Sequence, residues 1–155
     1  MPFSHETTVP ASPATVVATL TDESFVRAAL HDLGADVREV VVDGTTTRAR
    51  YSVATQGIPQ AFAKFVGDRV EVTDVRTWTV DGDGATGTVL VTTTLFGRDV
   101  RLEGERRITG GATITSSGRS HVDAPFVGRK AEGAVDELAV VVLKKEAGTL
   151  AARLG

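Results

Sequence analysis

The sequence predicts an α+β domain in which a curved antiparallel sheet of about seven strands wraps round a long C-terminal helix. Three observations lead to this prediction. Of the 155 residues, 23 are Val, 21 are Thr and 3 are Ile, and β-branched side chains favour strands. Glycine-rich turns divide the middle of the chain into stretches of regular strand length. The last thirty or so residues carry apolar side chains at helical spacing.

The first elements are a strand over 3–9 and two short helices. Ser12 followed by Pro13 is typical of a helix start, because Ser caps free N–H groups and Pro fits the first turn. Asp22 is predicted to cap the second helix in the same way. Gly34 stands where a helix commonly ends on a left-handed residue.

Six further strands follow, and the dipeptide Asp43-Gly44 predicts a tight hairpin between the first two of them. The strands are predicted at 37–42, 46–53, 69–80, 85–96, 100–108 and 112–122. The final helix is predicted within 125–154; about 25 helical residues would span ~38 Å, enough to cross a whole sheet. This order of elements is the helix-grip arrangement, and we expect a single domain over 1–155.

Composition and charge exclude several classes of protein. The net charge is −3 and cysteine is absent, so we expect no nucleic-acid partner, no disulfide and no thiolate metal site. His5, His31 and His121 are far apart in sequence, and neither a metal site nor a cofactor is expected. The start of the chain does not resemble a secretory signal. The longest apolar run, 138–143, is six residues, whereas a membrane span needs ~20, so we expect a cytoplasmic protein that does not insert into membranes.

Three segments carry a family resemblance. Residues 57–67 contain a Pro and end in Gly, residues 72–78 form a strand ending in Trp, and residues 124–132 read Ala-Pro-Phe-Val-Gly-Arg-Lys-Ala-Glu. In these features the chain resembles the START-like (SRPBCC) superfamily, and within it the uncharacterised bacterial family called domain of unknown function 2505. Arg129 departs from that family's second Gly. The resemblance implies a helix-grip fold and brings no catalytic residues with it.

Charged residues on otherwise apolar strand faces are the most informative feature for function. Alternation places Asp74, Arg76 and Trp78 on one face of their strand, and it places Arg106 and Ser116 on the corresponding faces of two later strands. If these faces line the concave side, the charges must pair, reach the rim or meet a polar group of a ligand. A salt bridge that serves only the fold remains the plainer alternative.

The segment 57–67 adds Phe62 to the candidate site, beside Asp74, Arg76, Trp78, Arg106 and Ser116. Its flanking glycines would suit a mobile lid over a pocket. A static plug whose aromatic side chains complete the core fits the same pattern, and both readings stay open.

Two motifs resemble functional sites but are better explained by their place among the predicted strands. Residues 82–87 match G-x-G-x-x-G, but strand patterns lie on both sides, whereas a dinucleotide site needs a helix after the motif. Ser120, His121 and Asp123 suggest a catalytic triad. Neighbours on a strand point to opposite faces, however, so Ser120 and His121 are not expected to meet.

The sequence therefore predicts a protein that binds a small, largely apolar molecule, lipid-like or polyketide-like, between sheet and helix. The first alternative is a protein-interaction module or homodimer that uses Val140–Val142. The second is a cyclase or hydrolyase, as in some START-like relatives, with Asp74 and Arg106 as the acid–base candidates.

Overall fold

A computed structural model describes residues 2–54, 69–95, 98–123 and 128–155. The predicted segment 57–67, with Phe62, lies outside the described residues. The elements are, in chain order, β1 (Phe3–Thr8), α1 (Pro13–Leu20), α2 (Glu23–Asp32), β2 (Asp36–Asp43), β3 (Thr46–Ala54), β4 (Arg69–Asp81), β5 (Gly84–Leu95), β6 (Arg98–Ile108), β7 (Thr113–Val122) and α3 (Gly128–Leu154).

The strands form a seven-stranded sheet in the order β1-β7-β6-β5-β4-β3-β2. Every neighbouring pair is antiparallel, and β1 closes the edge beside the last strand. The predicted fold class is confirmed, with two short helices after β1 and a 27-residue C-terminal helix. Strand ends differ from the prediction by a residue or two, which is the usual uncertainty of boundaries.

The predicted helix ends are found at three positions. The Ser12 hydroxyl accepts the Thr15 N–H at 3.2 Å, so it caps α1 as expected. Asp22 occupies the N-cap position of α2 but makes no capping bond to the helix backbone. Its carboxylate accepts instead from the Ser24 hydroxyl at 2.6 Å. Gly34 has a φ of +82°, a conformation that glycine adopts at little cost.

One end of the space between sheet and helices is packed solid, and we call it the filled end. Its centre is Trp78 on β4. Side chains from β6 and β7 and from all three helices belong to the same packed cluster. Leu150 of α3 is 1% exposed there. The other buried members include Val16, Phe25, Ile108 and Ile114. This end ties the C-terminal half of α3 to the sheet and fixes the position of its other half.

Candidate functional site

The opposite end of the same space holds a cavity of about 210 Å³, and we call it the cavity end. It lies between the sheet and the N-terminal half of α3. Its wall is mainly aliphatic: the strands contribute Val53, Val70, Val72, Val89, Val91, Val100 and Leu102, and the helix contributes Val135, Leu138, Ala139, Val142 and Leu143. Small-molecule sites have this character, with an apolar wall and few polar groups.

The filled end and the cavity end meet at a layer of charged side chains. On β4, Val72, Asp74 and Arg76 line the cavity, whereas Trp78 belongs to the filled end. On β6, Arg106 lines the cavity and Ile108 packs in the filled end. On both strands, therefore, the charged residues lie at the boundary between the cavity end and the filled end.

Arg76 joins the sheet to the helix within this layer. Its Nε and Nη2 donate to the two carboxylate oxygens of Asp74, each at 3.0 Å. Its Nη1 donates to Glu146 Oε2. A bidentate guanidinium–carboxylate pair is geometrically specific, so Asp74 fixes the orientation of Arg76 and directs the third nitrogen towards α3.

Arg106 is the second cation of the layer and is only 5% exposed. Its Nε donates to the Ser116 hydroxyl at 2.9 Å, and its Nη2 donates to Glu146 Oε1 at 2.6 Å. Its Cζ lies 5.3 Å from the centre of the Trp78 ring, a cation–π distance. Among the described residues, Nη1 of Arg106 has no hydrogen-bond partner.

Glu146 remains ionised at neutral pH because of its two partners. Burial by itself would raise the pKa of its carboxyl, but the charges and hydrogen bonds of Arg106 and Arg76 outweigh burial and lower that pKa to about 2. Burial likewise tends to lower the pKa of Arg76, and the Asp74 and Glu146 carboxylates reverse that tendency and raise it. The layer is therefore a set of fixed ion pairs.

Tyr51 and His5 border these ion pairs. Burial, and secondarily the neighbouring Asp74, with which the hydroxyl shares a hydrogen bond, raise the pKa of Tyr51. Burial, followed by the positive charges of Arg106 and Lys144, lowers the pKa of His5. Both side chains are consequently neutral at pH 7.

Four of the six predicted site residues come together at the cavity: Asp74, Arg76, Arg106 and Ser116. Trp78 faces the interior as alternation predicts, but it packs in the filled end beside Arg106 and does not line the cavity. The strand pattern predicts which face of the sheet a side chain occupies. It does not predict how far along the strand the cavity extends, so it gives Trp78 the same place as Asp74 and Arg76. Phe62 lies outside the described residues.

Sequence reasoning missed Glu146, the residue that links both arginines. A signal was present, because Glu146 stands four residues from Val142 and from Leu150, two positions on the apolar face of the predicted helix. Residues four apart share a helix face, so this spacing places the Glu146 carboxylate on the inward face of the helix. The partner of that carboxylate is set by the tertiary fold and could not be read from the helix.

A second polar contact holds the first half of α3 against the sheet. The Ser120 N–H donates to Asp136 Oδ1 at 2.9 Å, and the Ser120 hydroxyl donates to the Glu132 carbonyl at 2.8 Å. His121 points to the other face of β7, with its side chain 68% exposed. The triad reading of Ser120, His121 and Asp123 thus lacks the required contact, as alternation predicts.

The remaining motifs add no chemistry in the described part of the chain. Residues 82–87 form the turn between β4 and β5 and the start of β5. Over the same described residues, no three His, Asp or Glu side chains are grouped as a metal site would need, and no helix has the length and hydropathy to span a membrane.

Comparisons with known proteins agree with this architecture. The family model described as "Protein of unknown function (DUF2505)" matches residues 4–154. A search of curated proteins found no match.

Among solved structures, a conserved protein from Geobacillus kaustophilus is similar with a TM-score of 0.63 and 14% identity, over 98% of this chain and 96% of that one. A START superfamily protein from Mycobacterium smegmatis has a TM-score of 0.52 and 14% identity, over 99% and 96%. Norcoclaurine synthase from Thalictrum flavum, solved with dopamine and hydroxybenzaldehyde, has a TM-score of 0.57 and 12% identity, over 100% and 88%. At these identities the likeness shows the shared START-like helix-grip fold and nothing about chemistry.

Proposed function

The chain belongs to the family of unknown function DUF2505, and we propose that it binds a small, largely apolar molecule, lipid-like or polyketide-like, in the cavity between the sheet and α3. The observation that carries this proposal is the aliphatic cavity of about 210 Å³ with one polar end. Apolar walls supply affinity, whereas a few fixed polar groups orient the ligand. The fold supports the proposal by analogy, since norcoclaurine synthase was solved with two small aromatic molecules.

The ion pairs argue against the enzyme alternative in which Asp74 and Arg106 exchange protons with a substrate. Both oxygens of Asp74 accept from Arg76, and Glu146, with its pKa near 2, is far from the neutral range where a general acid or base works best. Binding therefore accounts for the layer better than acid–base catalysis does.

The interaction alternative has less to support it than the predicted Val140–Val142 stretch suggested. Val141 is 45% exposed, but Val142 lines the cavity. The stretch is divided between two faces of α3 and does not form a continuous apolar surface of the size typical of interfaces.

Binding can be tested with the uncharged fluorophore N-phenyl-1-naphthylamine, whose emission rises in apolar surroundings. We expect saturable binding to the native protein and loss of at least tenfold in affinity for Ala139→Trp, which fills the cavity from α3. Ala151→Trp is the matched control, because Ala151 is exposed on the same helix. Val91→Phe offers a second filling variant from β5. Equal binding by the filled and control variants, each with a cooperative unfolding transition, would contradict the proposal.

Native mass spectrometry of protein purified from its own host gives the ligand class directly. The proposal predicts a retained small molecule of stoichiometry one per chain, which is absent from the Ala139→Trp variant. The same spectra report whether the chain is a monomer or a dimer.

A further inference from the structure

We infer that the polar end of the cavity selects ligands whose polar group is an uncharged oxygen acceptor, such as a ketone or an ester, and that it discriminates against carboxylates. This inference rests on the proposed function and concerns the same cavity. Two arginines in an apolar cavity suggest an anion site at first sight, and the contacts within the layer argue the opposite.

The charges of the layer cancel one another. Arg76 and Arg106 contribute two positive charges, and the carboxylates of Asp74 and Glu146 contribute two negative ones, which the low pKa of Glu146 preserves at neutral pH. His5 is uncharged there because its pKa is lowered. A ligand carboxylate would therefore enter an environment with no net positive charge, and burying an uncompensated anion is costly.

The hydrogen bonds of the layer are also almost all used within it. All three nitrogens of Arg76 donate to carboxylates, and two nitrogens of Arg106 donate to Ser116 and Glu146. What remains among the described residues is Nη1 of Arg106, a buried donor without a partner. A buried donor of this kind gains from any acceptor that reaches it, and a single carbonyl oxygen satisfies it without adding charge.

Binding a ligand carboxylate in a bidentate pair with Arg106 would require the Glu146 carboxylate to move away from Arg106. Glu146 is buried and holds both arginines from α3, so its displacement would break the contact of the helix with two strands. A neutral acceptor leaves that contact intact, and this is the physical basis of the expected selectivity.

Two ten-carbon probes with different head groups test the inference: 2-decanone and decanoic acid, each used to displace N-phenyl-1-naphthylamine at pH 7. We expect the ketone to bind about tenfold or more tightly than the acid, which corresponds to at least ~1.4 kcal/mol. Equal affinity, or tighter binding of the acid, would overturn the inference while leaving the proposed function in place. Failure of the fluorophore itself to bind would instead remove the proposed function.

A reversal of selectivity is the sharper result. Glu146→Gln removes one negative charge at nearly constant volume, so the layer becomes net positive and decanoate should gain at least tenfold relative to 2-decanone. Glu137→Gln is the matched control, since Glu137 is exposed on the same helix, and its selectivity should equal that of the native protein. If Glu146→Gln does not fold, Asp74→Asn makes the same change of charge from β4. An unchanged ketone-to-acid ratio in a folded variant would overturn the inference.

Discussion

The two halves of α3 face the same sheet, but one half packs closely against it and the other half lines the cavity. Around Leu150 the helix packs into the filled end, where side chains from α1, α2 and four strands bury one another. Between Val135 and Leu143 it faces the cavity end, where its apolar side chains are only half-buried. Glu146 lies between these two stretches and is tied to Arg76 and Arg106.

This difference shows how one helix can supply stability at one end and a binding wall at the other. A close-packed interior leaves no room for a ligand, so the cavity end needs another means of holding the helix at a fixed distance from the sheet. The ion pairs of Glu146 and the contact of Asp136 with Ser120 provide fixed points beyond the filled end.

Removal of α3 should have the largest effect, because both ends lose their cover. A chain ending at Val122 exposes the concave face of the sheet, and each large apolar side chain uncovered costs ~1.5–3 kcal/mol against a typical total stability of ~5–15 kcal/mol. We expect no cooperative thermal transition by circular dichroism. A cooperative melt from this shortened chain would show that the sheet is stable without the helix.

Breaking the layer between the ends should have the next largest effect. Glu146→Gln leaves two buried guanidinium groups short of one counter-charge, and removing one partner of a buried ion pair typically costs ~3–5 kcal/mol. Urea titration should show this loss for Glu146→Gln and a change within ~0.5 kcal/mol for the exposed Glu137→Gln. Similar values for the two variants would mean that the layer does not stabilise the fold.

The two ends themselves can be compared with one substitution made in each. Leu150→Ala opens a void in the filled end and should lower the free energy of unfolding by ~2–5 kcal/mol. Leu138→Ala removes a half-buried side chain from the wall of an existing cavity, and its loss should stay below about 1.5 kcal/mol. Denaturant unfolding of both variants measures the contrast. Equal losses would contradict the division into a filled and a cavity end.

Acid should weaken the layer selectively. The folded-state pKa of Glu146 is lowered from 4.5 to about 2, so its contribution is fully present above pH 4.5 and is lost as pH falls towards 2. The difference in stability between the native protein and Glu146→Gln should therefore shrink over that range. A difference that stays constant from pH 7 to the acid transition would argue that Glu146 is not held by the two arginines.

The fold and much of the site could be predicted from local patterns, and the rest depends on contacts between distant parts of the chain. Alternation placed Asp74, Arg76, Arg106 and Ser116 on the concave face because side-chain direction in a strand is a local property. The pairing of both arginines with Glu146 joins residues 70 and 40 positions apart, and no local pattern specifies it. The strand pattern left open whether Arg106 pairs within the protein or meets a polar group of a ligand, and the structure pairs it with a carboxylate of the protein.

Trp78 lies in the filled end and not along the cavity for a related reason. Trp78 follows Asp74 and Arg76 on the same face, and strand periodicity treats the three positions alike. What separates them is the place where the packed interior begins, and that place is set by Ile108, Ile114 and Leu150 from other elements. Faces can thus be predicted from one strand, but the limits of a cavity cannot.

Mapping the amide chemical shifts of the protein during titration with N-phenyl-1-naphthylamine tests directly whether the ligand binds at the cavity end. We expect the changes to concentrate on the cavity end, at Val89, Val91 and Leu102 of the sheet and at Leu138 and Ala139 of α3. The amides of Ile114 and Leu150 in the filled end should change little. Changes centred on the filled end or on the convex face of the sheet, or no saturable change at all, would contradict binding at the cavity end.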